Sequence, residues 1–153
     1  MPEPSEPAII ALGFDYGFKR IGIAAGDTLT GSARPIGTIS SHDGAPDWST
    51  IDRYVRDWGP SVFVVGVPYN MDDSPTALTE SAMAFGDALS KRFGRQVEPV
   101  DERLSSREAE DQLRQRRANG ERSRRVGRGD IDAVAAAVLL EQWLRERNRM
   151  TRT

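Results

Sequence analysis

Three acidic side chains stand at positions where this sequence places the ends of folded elements. Asp15 ends an apolar strand that starts at Ala8, Glu102 follows a short alternating segment, and Asp132 opens the last apolar helix. Carboxylates that lie close together repel one another, and a divalent cation is the natural compensation. The chain has no cysteine and a single histidine, His42, so oxygen ligands would select Mg²⁺ or Mn²⁺. Such a centre can hold a phosphodiester and activate water for its hydrolysis.

Each acid also has an ordinary structural explanation. Asp15 fits a turn residue, and Glu102 fits a surface pair with Arg103. Asp130 and Asp132 fit a helix start, where the helix dipole favours carboxylates. Asp130 is the better cap, whereas Asp132 shares its helical face with apolar residues and is expected to point at the sheet. In α/β proteins ligands bind beyond the strand ends, so the three acids taken together predict one shared binding site there.

Basic residues cluster just before the third acid. Between positions 114 and 128 the chain has seven arginines against one acid, Glu121. This segment is either a solvated helix end and loop or a flexible arm that contacts phosphates and feeds substrate toward Asp132. Asn70 follows a buried strand and fits either a turn or a contact to a sugar or base. The residues expected to contact nucleic acid are Lys19, Arg20, Asn70, Arg103, Arg124, Arg125 and Arg128. Lys19, Arg20 and Arg103 could each touch the scissile phosphate or simply pair with the acids.

The elements that must position these residues follow from hydrophobic periodicity. The pattern predicts strands over 8–12, 21–25, 35–39, 62–67 and 96–100, and helices over 47–58, 75–92, 106–117 and 131–145. Ser74 is expected to cap the second helix, and 41–46 and 118–129 are expected as loops. A hairpin-linked trio of strands followed by alternating helices and strands predicts an α/β protein with a mixed five-stranded sheet. The continuous apolar runs place the first and fourth strands at its centre, and Pro99 places the fifth at an edge.

Composition narrows the remaining function classes. The 153 residues carry a net charge of −2 and are 38% hydrophobic, which suits one compact domain over residues 8–147. Residues 1–7 are expected as a disordered lead and 148–153 as a flexible tail. The lead lacks the basic and apolar regions of a signal peptide, and no apolar run is long enough to span a bilayer. We expect a cytoplasmic protein that does not contact membranes and is a monomer or weak dimer.

Five ordered motifs resemble one known family over nearly the whole chain after about residue 8. They are Gly13-Phe14-Asp15-Tyr16-Gly17 with Lys19-Arg20-Ile21-Gly22-Ile23-Ala24, then Thr30-Gly31-Ser32-Ala33-Arg34-Pro35, Val65-Gly66-Val67-Pro68-Tyr69-Asn70-Met71-Asp72, Asp101-Glu102-Arg103-Leu104-Ser105 and Asp132-Ala133-Val134-Ala135-Ala136. At these residues the chain resembles the YqgF/RuvX family of Holliday-junction-resolvase-like and pre-16S rRNA nucleases.

This resemblance implies an RNase H-like fold and a metal-dependent endonuclease. It implies that Asp15, Glu102 and Asp132 are the catalytic and metal-binding acids, with Mg²⁺ or Mn²⁺ as the cofactor. In better-known resolvases the second acid follows the fourth strand; residues 66–68 contain no acid, so Glu102 takes that place. The implied role is processing of the 5′ end of pre-16S rRNA in ribosome biogenesis. The implied partner is pre-rRNA, with structured DNA such as a four-way junction as the alternative and ribosomal particles as a further partner.

Two residues depart from the family pattern. Phe18 stands where the family usually has a small hydroxyl residue, and Asp73 stands where it often has glycine. These departures keep open a second hypothesis, a nucleic-acid-binding or ribosome-binding module with little catalysis. A third hypothesis is a phosphotransferase of the actin-like group, which also has an Asp-x-Gly hairpin. It ranks last because the chain is too short for the two-lobed nucleotide clamp of such proteins.

Overall fold

The computed structural model describes residues 7–42, 45–101 and 128–151 of the chain. Within them the elements are β1 (Ile10–Tyr16), β2 (Arg20–Asp27), β3 (Ala33–His42), β4 (Ala45–Pro46), α1 (Trp48–Trp58), β5 (Val62–Val67), α2 (Ala77–Phe93), β6 (Gln96–Asp101) and α3 (Arg128–Thr151). The predicted helix over 106–117 and most of the predicted loop over 118–129 lie outside the described residues. None of the described helices is long and apolar enough to cross a membrane.

The strands form one mixed sheet in the order β4-β3-β2-β1-β5-β6. The β1–β2, β2–β3 and β3–β4 pairs are antiparallel, and the β1–β5 and β5–β6 pairs are parallel. The predicted mixed sheet is confirmed, with β1 and β5 inside it and β6 at an edge. The predicted number of five strands is wrong by one. The β3 strand continues to His42 and pairs with the two-residue β4, in a segment that the sequence predicted as a loop. The prediction missed this pairing because short polar segments lack the apolar pattern that identifies strands.

The two faces of the sheet pack against different helices. Leu12 and Phe14 of β1 belong to a core cluster that includes Ile51 and Val55 of α1 and Phe85 of α2. On the other face, Ala11 of β1 packs with the apolar side of α3. Because side chains alternate along a strand, Gly13 and Asp15 belong to the face covered by α3. That face therefore carries the first of the three predicted acids.

Capping residues fix the ends of α1 and α2. Asp47 caps α1 and accepts a hydrogen bond from the backbone N–H of Thr50, and Gly59 ends the helix with a left-handed φ of 59°. Thr76, and not Ser74, caps α2 through a reciprocal capping box with Thr79. Ser74 instead donates its backbone N–H to Asp72 Oδ1 at 3.0 Å, so a local turn competes successfully for the expected cap.

The last helix is longer than the sequence predicted at both ends. It includes Arg128 and Gly129, so Asp130 lies inside α3 and is not its cap. It also continues to Thr151, beyond the predicted end at residue 145. Asn148 donates its side-chain N–H to the carbonyl of Thr28 at 3.3 Å, which ties this part of α3 to the β2–β3 turn. Periodicity identifies the buried face of a helix more firmly than its ends.

Candidate active site

Asp15 lies on the inner strand β1 and has a glycine beside it on each of the two neighbouring strands. It is the penultimate residue of β1, and its register partners are Gly22 on the antiparallel strand β2 and Gly66 on the parallel strand β5. Side chains in register project from the same face at about 4.5–5.5 Å from one another, and neither neighbour has one. The Asp15 side chain is half-buried, and neither of its register neighbours contributes a side chain beside it.

Asp132 reaches the same place because α3 sits directly on the backbone of β2. A Cβ built on Gly22 would overlap the carbonyl group of Asp132 and would lie 2.7 Å from the backbone nitrogen of Ala133. Gly22 is therefore required for the close approach of the helix to the strand. Since Gly22 is the register partner of Asp15, this contact brings the first and third predicted acids together at one end of β1.

Two more glycines keep α3 close to the sheet along its length. A Cβ on Gly13 would lie 2.9 Å from Leu140 Cβ, and one on Gly26 would lie 3.0 Å from Leu144 Cδ1. The helix therefore runs from the Asp15 end of β1 toward its Ile10 end. The packing of the whole helix against the sheet, and not a single hydrogen bond, fixes the position of Asp132.

Arg20 forms an ion pair with Asp132 across the site. Its Nε donates to Asp132 Oδ2 at 2.8 Å, and the two side chains are 39% and 23% exposed. Arg20 is two residues before Gly22 on β2, so alternation places it on the same face as Gly22 and Asp15. The guanidinium offsets the repulsion between carboxylates on this face and orients one oxygen of Asp132. Of the two roles considered for Arg20, pairing with an acid is the one that the geometry shows.

The structure describes only some of the other residues that were predicted to contact nucleic acid. Lys19 is exposed in the β1–β2 turn. Asn70 organises the turn after β5: its backbone N–H donates to the Ser74 carbonyl and its Nδ2 to Ser74 Oγ, both at 3.0 Å. This geometry is that of a turn asparagine. The predicted residues Glu102, Arg103, Arg124 and Arg125 lie outside the described residues, and Arg128 is described only as a backbone position in α3.

The register partners of Asp15 extend across β5 to β6, the strand that precedes the second predicted acid, Glu102. Gly66 of β5 pairs with Val100 of β6, and Val100 packs against the same core cluster as α3. The described part of β6 ends at Asp101, which pairs with Val67. Glu102 follows directly in the sequence, and its place in the site stays a prediction.

The described donors fit part of a site for a hard cation. Asp15 and Asp132 supply carboxylate oxygens, the ligand type that Mg²⁺ and Mn²⁺ prefer. Over 7–42, 45–101 and 128–151, no three Asp, Glu, His or Cys side chains are grouped so as to hold a metal ion. The two acids therefore provide a partial ligand set, and the sequence prediction of Glu102 as the third ligand concerns a residue beyond those ranges.

Sequence reasoning missed the glycines that shape this site. Gly22 and Gly66 place no side chain on either side of Asp15, and Gly22 admits the backbone of Asp132. A glycine in the interior of a strand often marks the close approach of another backbone. That signal was present in the Ile21-Gly22-Ile23 segment and could have identified where the last helix crosses the sheet.

Comparisons with known proteins agree with this architecture. Among solved structures, the Thermus thermophilus RuvC in complex with Holliday junction substrate matches with a TM-score of 0.56 at 15% identity, covering 91% of this chain and 95% of that one. The yeast mitochondrial Holliday junction resolvase Ydc2 matches with a TM-score of 0.57 at 10% identity, covering 98% and 83%. These similarities confirm the predicted RNase H-like fold.

Curated relatives are considerably closer in sequence. A protein of Nitrosococcus oceani named "Putative pre-16S rRNA nuclease" is 45% identical over 145 residues, which cover 95% of this chain and 91% of the relative. A protein of the same name from Aeromonas hydrophila is 44% identical over 135 residues, covering 88% and 94%. The family model described as RuvX, Holliday junction resolvase, matches residues 9–146. The resemblance found in the five motifs is confirmed, and the chain belongs to the RuvX family.

Proposed function

We propose that this chain is a metal-dependent endonuclease that hydrolyses phosphodiester bonds during maturation of the 5′ end of pre-16S rRNA. The observation that carries the proposal is the meeting of two acids from distant parts of the chain, Asp15 on β1 and Asp132 on α3, over the register pair Asp15–Gly22. Two half-buried carboxylates on one sheet face repel each other, and a divalent cation would offset this repulsion in addition to the Arg20 guanidinium.

The acids have distinct places in the proposed mechanism. Asp15 and Asp132 would hold Mg²⁺ or Mn²⁺, with Glu102 as a third ligand or as the residue that orients the attacking water. The ion, when bound, supplies positive charge at the phosphate and lowers the pKa of water. Arg20 fixes one oxygen of Asp132 through its 2.8 Å hydrogen bond.

The preference for RNA rests on the relatives. Proteins 44–45% identical over most of their length carry a pre-16S rRNA nuclease name, and we extend that substrate to this chain. The segment from 114 to 128, with seven arginines against one acid, suits binding of a phosphate backbone. We therefore expect the protein to act in the cytoplasm on precursor rRNA, free or within ribosomal particles.

A four-way DNA junction is the second candidate substrate. The family model carries the description Holliday junction resolvase, and this description favours a four-way junction as the substrate. Both substrates would use the same acids, so the two candidates differ in what binds near the site and not in the bond that is cleaved.

The test measures cleavage of a labelled pre-16S rRNA 5′ fragment and a labelled four-way junction by purified protein. Each substrate is incubated with Mg²⁺, Mn²⁺ or EDTA. We expect cleavage only with a metal, and a loss of about 100-fold or more in Asp15→Asn, Glu102→Gln and Asp132→Asn, since even residues that only orient metal ligands typically contribute about 10–100-fold. Asp57→Asn, an exposed acid on α1, is the matched control and should retain full activity.

Two results would contradict the proposal. Equal cleavage by wild type and Asp15→Asn would remove the acid pair from the mechanism. Binding of either substrate that survives EDTA and Asp15→Asn, without cleavage by the wild type, would identify a binding module instead of a nuclease.

A further inference from the structure

Phe18 is an exposed aromatic side chain in the turn that joins the strand of Asp15 to the strand of Arg20. It lies in the turn between β1 and β2, and half of its surface, 50%, is open to water. Phe18 is the only aromatic residue among the large apolar side chains that are exposed in the described part of the chain. Asp15 precedes it by three residues, and Arg20, which binds Asp132, follows it by two. An aromatic ring at this point is available to a ligand that occupies the site.

The turn that carries Phe18 is held at both ends. A Cβ on Gly17 would lie 2.7 Å from the carbonyl oxygen of Arg20, so the chain reverses tightly at a position that needs glycine. On the other side, the backbone N–H of Ser41 on β3 donates to the Lys19 carbonyl at 2.9 Å. Phe18 is therefore presented from a constrained turn, and little conformational freedom remains to be lost when it binds.

The surroundings of Phe18 select a particular ligand. Lys19 beside it is exposed and cationic, and the site next to it is proposed to hold a phosphodiester. A ligand that brings an anionic backbone and a flat apolar surface together is a nucleotide with an unpaired base, and aromatic side chains stack on such bases. A paired base offers no free face except at a helix end.

We propose that Phe18 stacks on an unpaired nucleobase next to the cleaved phosphodiester and thereby makes this enzyme prefer substrates that are single-stranded at that position. The proposal rests on the proposed nuclease function.

An abasic scan of the substrate tests the stacking contact. The wild-type cleavage position is mapped first, and single abasic sites are then placed at each nucleotide that flanks it. We expect one abasic position to lower wild-type kcat/KM by about tenfold, within the range that base–aromatic stacking contributes. Phe18→Thr should be about tenfold slower on the intact substrate and should show no further loss at that abasic position. Phe18→Tyr should behave as the wild type.

Leu29→Thr is the matched control. Leu29 is 78% exposed in the β2–β3 turn at the opposite end of the sheet, so this variant should keep the wild-type abasic profile. An abasic penalty that is the same in wild type and Phe18→Thr would overturn the stacking proposal while leaving the nuclease function intact. If the wild type cleaves nothing, the same scan is measured as RNA affinity by fluorescence anisotropy. A base-dependent loss of affinity that disappears in Phe18→Thr supports the contact, and a profile that does not depend on Phe18 overturns it.

Discussion

Gly22 of β2 lies directly beneath the backbone of Asp132 in α3, close enough that a side chain at position 22 would overlap the Asp132 carbonyl group. The same glycine is the register partner of Asp15. One residue without a side chain thus determines both how closely the last helix approaches the sheet and where the two acids meet. Stability and activity should therefore respond together to substitution at this position.

We expect Gly22→Ala to lower the free energy of unfolding by about 3 kcal/mol, the upper end of the usual cost of overpacking, because the obstacle is backbone and cannot rotate away. A shift of Asp132 by about 1 Å should also lower kcat/KM by about 100-fold. Urea unfolding and substrate cleavage measure the two effects. Gly86→Ala in α2 is the control: its Cβ would meet a side-chain methyl of Val97 at 3.2 Å, and alanine favours the helix, so stability and activity should change little. Wild-type activity in Gly22→Ala would contradict the proposed contact.

The ion pair between Arg20 and Asp132 should matter for activity more than for stability. Both partners are partly exposed, so the pair contributes less than about 1 kcal/mol to folding. Loss of the 2.8 Å hydrogen bond leaves the Asp132 carboxylate without its orienting partner, and we expect cleavage to fall by about 10–100-fold in Arg20→Ala. Arg20→Lys should remain impaired, because lysine keeps the charge but lacks the planar donor. Full activity in Arg20→Lys would show that charge alone suffices.

Arg92 provides the matched control for Arg20. It also pairs with an aspartate, donating from Nε and Nη2 to Asp52 at 2.8 and 2.7 Å, and its guanidinium lies over the ring of Trp48. This pair joins α1 and α2 on the face of the sheet opposite to the acids. Arg92→Ala should lower the melting temperature while leaving cleavage unchanged. A loss of activity comparable to that of Arg20→Ala would mean that the site depends on fold stability in general.

The fold could largely be predicted from the sequence because its main signals are local. The apolar runs of β1 and β5 identified the inner strands, and Asp47 and Gly59 identified both ends of α1. The errors fall where local alternatives compete. Ser74 is an acceptable helix cap by type, but its bonds to Asp72 engage it in a turn, and Thr76 caps α2.

The site could be predicted only as a set of residues. Asp15 and Asp132 were predicted to share a site, and what brings their backbones close is a contact between α3 and Gly22, a strand glycine more than 100 residues earlier in the chain. The Arg20–Asp132 bond spans 112 positions and has no local signal. For Arg20 the sequence left two roles open, and only tertiary packing distinguishes them.

The Asp52–Arg92 pair should make part of the stability depend on pH. The hydrogen bond from Arg92 holds the pKa of Asp52 below its ordinary value of 3.8. A carboxylate whose pKa is lowered by folding stabilises the native state above the ordinary pKa, and this contribution disappears as the pH falls through the lowered pKa. The difference in melting temperature between wild type and Asp52→Asn should therefore be constant from pH 7 to about pH 5 and should shrink below about pH 4. A difference that is unchanged at pH 2 would show that the pair does not stabilise the fold through its charge.

Asp73 adopts a backbone conformation that favours glycine, with a φ of 72°. Its backbone N–H donates to the Asn70 carbonyl at 2.9 Å, a bond that glycine would keep. Aspartate tolerates the left-handed region better than most residues but still at a cost, so we expect Asp73→Gly to raise the free energy of unfolding by up to about 1 kcal/mol.

Substitution of Asp73 should also strengthen binding of nucleic acid, because it removes a negative charge from the turn that follows β5 at the Asp15 end of the sheet. Asp73→Asn separates the two effects, since asparagine removes the charge and keeps a side chain that tolerates the left-handed region. Both variants should bind the rRNA fragment more tightly in fluorescence anisotropy at low salt, with a smaller gain at high salt, whereas Asp73→Gly should show the larger gain in urea unfolding. Equal affinity of wild type and Asp73→Asn at low salt would place Asp73 away from the path of the substrate.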